Sequence, residues 1–223
     1  MKQIITVLAF LPCVLAAQVT DTTEVIKRLQ VGAGYGIMQH EVAFTPNAAV
    51  EALSGSSVGI HLRYFDDALV GFQAELSYVT AGWKEEIDPS FSSLYERQTN
   101  YVELQLMTQL SIGKGLIQPM LQAGPYLSIP LSEKEQLPPE YLAPEDPALA
   151  PYYGLELPFR LNYGLQAGAG LNVELGPLTI QVEGRYLTGF NDLIRTGTTV
   201  AAISRRTGIG GRVGVFWALG SGS

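Results

Sequence analysis

The sequence predicts an all-β fold: an eight-stranded antiparallel up-and-down transmembrane β-barrel with long outer loops. Long stretches alternate between apolar and polar residues, which is the period of a strand with two different faces. Only 16% of the 223 residues are charged, against about 25% in a typical soluble domain. After the N-terminus, no apolar run reaches the roughly 18 residues that a transmembrane helix needs. In lipid only helices and closed barrels pair every backbone group, so a barrel is favoured.

The N-terminus has the three parts of a secretory signal. A lysine follows Met1, an apolar run follows the lysine, and Ala16 and Ala17 supply the small residues of a cleavage site. We expect a signal peptide over residues 1–17, cut after Ala17 or, alternatively, after Ala16. The rest of the chain divides into a short segment, 18–28, a barrel domain, 29–219, and a tail, 220–223.

Eight segments of the chain show the alternation of a strand. It is clearest in residues 161–175, which alternate without a phase error, and in residues 178–185, where Tyr186 continues the apolar face. A slip of one residue would turn every polar group toward the medium that holds the apolar ones. The other six predicted strands are residues 29–39, 57–65, 70–83, 98–111, 116–129 and 207–219.

Short and long connections alternate between these strands. Tight turns are predicted at 66–68, 113–115 and 176–177, and long connections are predicted to begin at His40, Lys84, Pro130 and Asn191. In an up-and-down meander, all long loops then share one rim, and all turns share the other with both termini. This layout is typical of outer-membrane barrels, although a soluble lipocalin-like barrel alternates in the same way.

The polar face indicates which side of the barrel lies inside. It carries glutamate, glutamine and arginine but no lysine, which favours a hydrogen-bonded lumen over a solvated exterior. Eight strands enclose a space that side chains can fill, and buried charges persist only when they are paired. Glycines on the same face would make room for long side chains. We therefore predict a lumen charge network of Arg63, Glu75, Glu103, Glu183, Arg185 and Arg212.

Aromatic residues and prolines add two expectations. An aromatic ring on the lipid face suits the headgroup level of a membrane. Pro119 and Pro125 interrupt the donors of the fifth strand, so we expect a bulge or a local break there. The aromatic residues assigned to the apolar face are Tyr35, Tyr64, Tyr78, Tyr101, Tyr163, Tyr186 and Trp217.

Five short segments, taken in order, resemble the PorT-like outer-membrane β-barrel domain family. They are GFQAELSY at 71–78, YVEL at 101–104, QAGPY at 122–126, YGLQAGAG at 163–170 and EGRY at 183–186, and the resemblance spans about residues 29–219. It implies an eight-stranded barrel in the outer membrane of a diderm bacterium. PorT itself is associated with the assembly of a secretion system, a role that the resemblance does not carry over to this chain.

The sequence offers little support for catalysis, a cofactor or a metal site. The two histidines are His61, predicted to make a hydrogen bond in the lumen, and His40, predicted to be solvated at the start of a loop. The single cysteine, Cys13, lies in the signal segment. Neither a phosphate loop nor a dinucleotide fingerprint is present. With a net charge of -7 and no basic cluster, the chain is not expected to bind nucleic acid.

The third predicted loop, residues 132–157, is acidic and rich in proline. It holds six acidic residues against one lysine, a net charge of -5, together with five prolines and three tyrosines. Such a composition favours an extended, solvated backbone that could recruit a partner or a cation. Arg195, Arg205 and Arg206 of the fourth loop could dock against these acids or share a partner with them. The candidate partner residues are Glu133, Glu135, Glu140, Tyr141, Glu145, Asp146, Tyr152 and Tyr153.

These observations predict an integral outer-membrane protein with a structural, assembly or interaction role. It would be surrounded by outer-membrane lipid after signal-peptide cleavage, and envelope or secretion-system proteins are its candidate partners through the outer loops. The alternative is a secreted soluble barrel that binds an apolar ligand inside. A third hypothesis is a lipid-modifying enzyme of the outer membrane.

Overall fold

Eight antiparallel strands form a closed barrel in the computed structural model of the protein, which describes residues 29–45, 48–142, 152–153, 161–194 and 203–219. Each strand pairs with its neighbours in the chain, and the first strand pairs with the last to close the ring. The predicted eight-stranded up-and-down fold is therefore confirmed. Within these residues, no helix has the length and hydropathy that a membrane crossing requires.

All eight predicted strands are present, and most extend further at the end of the barrel that carries the loops. The connection predicted to be long after His40 is in fact short, because the first strand continues to Thr45 and the second begins at Val50. The strands are β1 (Leu29–Thr45), β2 (Val50–Phe65), β3 (Val70–Glu85), β4 (Tyr95–Ser111), β5 (Ile117–Gln136), β6 (Asn162–Leu175), β7 (Leu178–Asp192) and β8 (Ile203–Leu219).

The strands were predicted too short because the polarity of their two faces changes along the barrel. Over most of the barrel, apolar side chains point outward and polar ones point inward. Toward the loops the pattern inverts: Val42 and Phe44 of β1 are buried inside while Glu41 is exposed outside. The alternation thus continues with its polarity exchanged. A strand assignment based on one apolar face ends too early at this point.

The orientation of β4 decides between a membrane barrel and a soluble one. Leu104 faces outward with 42% of its surface exposed, whereas Glu103 faces the lumen at 2%. A soluble barrel with an apolar interior would have the opposite arrangement.

Six of the seven aromatic residues predicted on the apolar face lie on the outer face of the barrel, but Tyr101 is buried. Its assignment was wrong because residues 101 and 103 share one face of a strand.

Neither Pro119 nor Pro125 produces a bulge in β5. The β4–β5 pairing skips two positions opposite Gly124 and Pro125 but resumes in the same register, so the missing N–H interrupts pairing only locally. The register shift of this ladder lies between Asn100 and Tyr101, opposite the third proline of the strand, Pro130. The expected break is therefore present near Pro125, without a bulge.

Tight turns close the end of the barrel opposite the loops. Gly113 and Gly176 adopt positive φ angles of 93° and 64°, a conformation that glycine tolerates best. In the β2–β3 turn, the Asp67 carboxylate accepts backbone hydrogen bonds from Leu69 and Val70, both at 2.7 Å. These turns make β2 and β3, β4 and β5, and β6 and β7 neighbours in the barrel.

Candidate functional site

Four charged side chains from β3, β7 and β8 meet in the middle of the lumen. The Glu75 carboxylate accepts hydrogen bonds from Arg185, at 2.8 and 3.0 Å, and from Arg212 Nη1 at 2.6 Å. Arg185 Nη2 also donates to Glu183 Oε1 at 2.5 Å. All four side chains are buried. The structure thus brings two predicted carboxylates and two predicted guanidinium groups into one neutral cluster, which we call the central network.

Amide side chains complete the hydrogen bonds of the central network. Gln105 Oε1 accepts from Arg185 at 2.6 Å and from Arg212 at 3.0 Å. Gln73 donates to Glu75 at 2.7 Å, and Gln122 donates to Glu183. A buried polar network of this kind holds its members in one arrangement, because each broken contact would leave a desolvated group behind.

Glu103 lies nearer the loops and pairs with an arginine that the sequence interpretation placed elsewhere. Arg206 Nη1 donates to Glu103 Oε2 at 3.0 Å, and Ser128 Oγ donates to the same oxygen at 2.6 Å. Arg206 was expected in the fourth loop, where it would dock against acidic residues. That expectation is wrong, because β8 begins at Ile203 and turns Arg206 inward while Arg205 faces outward.

Arg63 lies nearest the turns and does not belong to the central network. Its guanidinium donates to Gln30 Oε1 at 2.5 and 3.0 Å, and to Gln109 and Asn172 at longer distances. It also lies 3.8 Å from the ring centroid of Phe216. Among the described residues, none of the three predicted glutamates, Glu75, Glu103 and Glu183, forms an ion pair with Arg63. Amide oxygens and an aromatic face take their place.

Glycines on β1 leave the space that the long lumen side chains occupy. A Cβ at position 34 would lie 2.5 Å from His61 Cε1, and one at position 36 would lie 2.6 Å from Arg212 Cγ. His61 Nε2 in turn lies 3.4 Å from Arg212 Nη2. His40, predicted to be solvated, is buried inside β1 instead. Both histidines therefore belong to the lumen.

The lumen becomes apolar at the loop end, where a set of buried side chains closes it. Phe44 stacks on Tyr152 with ring centroids 5.3 Å apart and planes at 6°. Trp83 and Tyr95 lie around the same ring, with centroids at 6.3 and 6.2 Å. We call this set the mouth cluster; its members are Val42, Phe44, Trp83, Tyr95, Tyr152, Leu193 and Ile194.

Two tyrosines of the third loop fold back onto a carboxylate at the end of β3. The hydroxyl groups of Tyr152 and Tyr153 donate to the two oxygens of Glu85. Tyr141 packs edge-on against Tyr153 with ring centroids 5.5 Å apart. Burial raises the pKa of both the Tyr152 and Tyr153 phenols, and the hydrogen bond to Glu85 and the charge of Glu85 raise it further. Three of the candidate partner residues thus form an ordered contact with the barrel.

The remaining candidate partner residues are divided among strand, loop and undescribed positions. Glu133 and Glu135 belong to β5 and not to the loop, because the strand continues to Gln136. Arg97 lies 3.6 and 3.7 Å from their carboxylates. Glu140 is exposed in the loop. Glu145, Asp146 and Arg195 lie outside the described residues.

The sequence interpretation missed Arg206, Arg97 and Glu85, and the period of the strands could have found all three. Arg97 shares a face of β4 with Glu103, and Arg206 shares a face of β8 with Arg212. Glu85 shares a face of β3 with Glu75. In the described part of the chain, no group of three or more His, Cys, Asp or Glu side chains is arranged to hold a metal ion.

Above about pH 10, the ordinary pKa of tyrosine, we expect the mouth cluster to loosen. The raised pKa values of Tyr152 and Tyr153 mean that the closed form keeps protons that the open form loses, so its stability falls as pH rises past that point. In a Trp217→Phe variant, the fluorescence of Trp83 reports the change. Adding Tyr152→Phe and Tyr153→Phe should reduce the pH dependence and leave the part that the buried phenol of Tyr95 contributes. An unchanged dependence would assign it to groups other than Tyr152 and Tyr153.

Comparison with known proteins supports an outer-membrane fold. Residues 16–195 match the model of a family described as outer membrane protein beta-barrel domain. The chain is similar to the outer membrane protein OprG of Pseudomonas aeruginosa, with 9% identity and a TM-score of 0.51 over 85% of this chain and 94% of that chain. It is also similar to neisserial surface protein A, with 13% identity and a TM-score of 0.49 over 86% of this chain and 97% of that chain. Ail, the attachment invasion locus protein of Yersinia pestis, has 11% identity and a TM-score of 0.43 over 85% of this chain and 99% of that chain. No curated protein matches the sequence.

Proposed function

Because the chain belongs to the outer membrane protein beta-barrel domain family, we propose that it is a non-conducting, non-catalytic barrel whose outer rim carries a structural or interaction role. Its location is the bacterial outer membrane. Export through the signal peptide predicted at residues 1–17, and membership of the narrower PorT-like group, are parts of this proposal. The assembly role of PorT itself is not part of it.

The filled lumen is the observation that carries the proposal. Buried groups follow one another through the lumen from the turns to the loops. They are Arg63, the central network, the Glu103–Arg206 pair and the mouth cluster. An eight-stranded barrel has an interior just wide enough for side chains to fill it. Ions could pass only if several paired charges separated together, each at a large desolvation cost.

The purified protein should give no stable open channels in a planar lipid bilayer. Insertion is verified in parallel by the reduced gel mobility of the heated sample relative to the unheated one, since a closed barrel stays folded without heating. Long-lived conductance steps from protein that has passed this gel check would contradict the proposed closed lumen.

Recognition then has most freedom at the outer rim, because loops on a rigid scaffold are where binding residues concentrate. The acidic, proline-rich stretch around Glu140 supports this part of the proposal. Envelope or secretion-system proteins are the proposed partners.

A Gly-Ser replacement of residues 143–150 leaves β5, Tyr152 and Tyr153 in place, and should abolish co-purification of a partner from crosslinked outer membranes. Retention of every partner by this variant would locate recognition elsewhere.

The two other hypotheses receive less support from the geometry. A lipid-modifying enzyme needs a base that reaches a lipid headgroup, whereas His40 and His61 both face the lumen. A soluble barrel with an apolar ligand needs an apolar interior, whereas the centre of this lumen holds Glu75 and Arg185.

A further inference from the structure

The side chain of Tyr152 fills a pocket made by the barrel strands. Phe44 of β1 forms one flat wall, against which the Tyr152 ring lies at 6°. Trp83 of β3 and Tyr95 of β4 form the other walls, at interplanar angles of 60° and 70° to the ring. The three wall residues are buried, and Tyr152 itself is 6% exposed. We call the space bounded by Phe44, Trp83, Glu85 and Tyr95 the mouth pocket.

The mouth pocket has polar groups placed for a phenol. The Glu85 carboxylate accepts the hydroxyl hydrogen of Tyr152, and its second oxygen accepts from Tyr153. The indole N–H of Trp83 is buried and finds no acceptor among the described residues. A buried donor without a partner costs free energy, so the Trp83 indole has capacity for one hydrogen bond that Tyr152 does not supply.

The walls and the occupant differ in how they are held. The walls belong to strands that pair on both sides within the closed barrel. Tyr152 comes from the connection between β5 and β6 and belongs to no strand. The pocket is therefore preformed by a rigid scaffold, and its occupant is tethered by a loop. Such an occupant can leave without breaking a strand pairing.

We propose that the mouth pocket is a binding site for a phenolic ring supplied from outside the cell, and that Tyr152 is its resting internal occupant. The inference deepens the proposed recognition role of the outer rim and rests on it. A phenolic ligand that also accepts a hydrogen bond from the Trp83 indole would make one contact more than Tyr152 makes.

The tether sets how strongly an external ring must bind. A side chain tethered to the same chain as its pocket competes at an effective concentration that is about millimolar for short flexible linkers and lower for longer ones. The apparent affinity of an external ligand falls by the fraction of molecules in which the pocket is open. Removal of the Tyr152 ring should therefore strengthen binding of a simple phenol, because the competitor is gone while the walls remain.

The test uses 4-methylphenol, which has the structure of a tyrosine side chain. Full-length protein carrying Trp217→Phe retains Trp83 as its one tryptophan, and its fluorescence is excited beyond the absorption of phenol. With Tyr152→Ala added, we expect saturable binding at least about tenfold tighter than with Tyr152 present. Glu85→Gln in the Tyr152→Ala background should weaken binding roughly tenfold, since a charged acceptor is replaced by a neutral one.

Two controls isolate the features of the pocket. 4-Methylanisole, which cannot donate to Glu85, should bind Tyr152→Ala much more weakly than 4-methylphenol. Tyr141→Ala removes a loop tyrosine outside the pocket and should behave like the chain with Tyr152 present. Each variant is first verified by the mobility of the unheated barrel on a gel, and Tyr152→Val replaces Tyr152→Ala if the latter does not fold.

Three results would overturn the inference: a folded Tyr152→Ala barrel without saturable binding, equal binding with and without Tyr152, or equal binding of the two probes. These results leave the conductance experiment unaffected. A non-conducting barrel with an inert mouth pocket would refute this inference alone, whereas open channels would refute the proposed function.

Discussion

Glu75→Gln should lower the free energy of unfolding by about 3–5 kcal/mol, the usual cost of breaking a buried ion pair. The Glu75 carboxylate faces both Arg185 and Arg212 at hydrogen-bond distance. Glutamine keeps the volume but removes the negative charge, and its amide N–H₂ group can only donate toward guanidinium groups that also donate. One buried positive charge then remains without compensation. Urea unfolding of the protein in lipid vesicles measures the loss.

The matched control is Glu41→Gln, which makes the same chemical change on the outer face of β1. Glu41 is exposed and accepts a long hydrogen bond of 3.4 Å from Thr207. A surface substitution of this kind usually changes stability by less than about 0.5 kcal/mol. If Glu75→Gln cost no more than Glu41→Gln, the central network would not contribute to folding as we argue.

Leu104→Arg should destabilise the barrel by about 2–4 kcal/mol, the cost of an arginine on the lipid face near the middle of a bilayer. Leu104 faces outward in β4 and lies opposite Leu76 of β3 and Leu127 of β5, both outward-facing leucines. An arginine at position 104 would have no carboxylate as a cross-strand partner, because both partners are leucines. The same unfolding measurement in lipid vesicles gives the value.

Leu137→Arg provides the control for Leu104→Arg, because Leu137 has a similar exposure, 40% against 42%, but follows the outer end of β5. Near the membrane surface an arginine costs only about 0–1 kcal/mol. Equal losses for the two variants would mean that the assigned lipid face is wrong.

The lumen charges could be predicted because a strand has a period of two residues. Glu183 and Arg185 are two residues apart and therefore share one face of their strand, so the apolar residues between and beside them lie on the other face. The period also predicts Arg206 and Arg97, but the assignment of strand ends relied on outward apolar residues. Where the polarity of the faces inverts, that criterion ended the strands too early.

The contact of Tyr152 with Phe44 could not be predicted in this way. It joins β1 to a loop more than a hundred residues later in the chain, and a loop has no periodicity that assigns a face. The hydrogen bonds of Arg63 could not be predicted either, since composition alone does not distinguish a carboxylate partner from the amide oxygens of Gln30 and Asn172.

The inversion of polarity along the strands also fixes how deep the barrel lies in the membrane. The strands have 14 to 20 residues, whereas about 9–11 tilted residues cross a bilayer. The outward Lys84–Glu96 pair, at 3.3 Å, and outward Lys134 follow the apolar band on the loop side. Sliding the barrel toward the turns would draw these charges into hydrocarbon. A membrane of different thickness must therefore adjust its own lipids around the barrel, and the mouth pocket keeps a constant height above the surface.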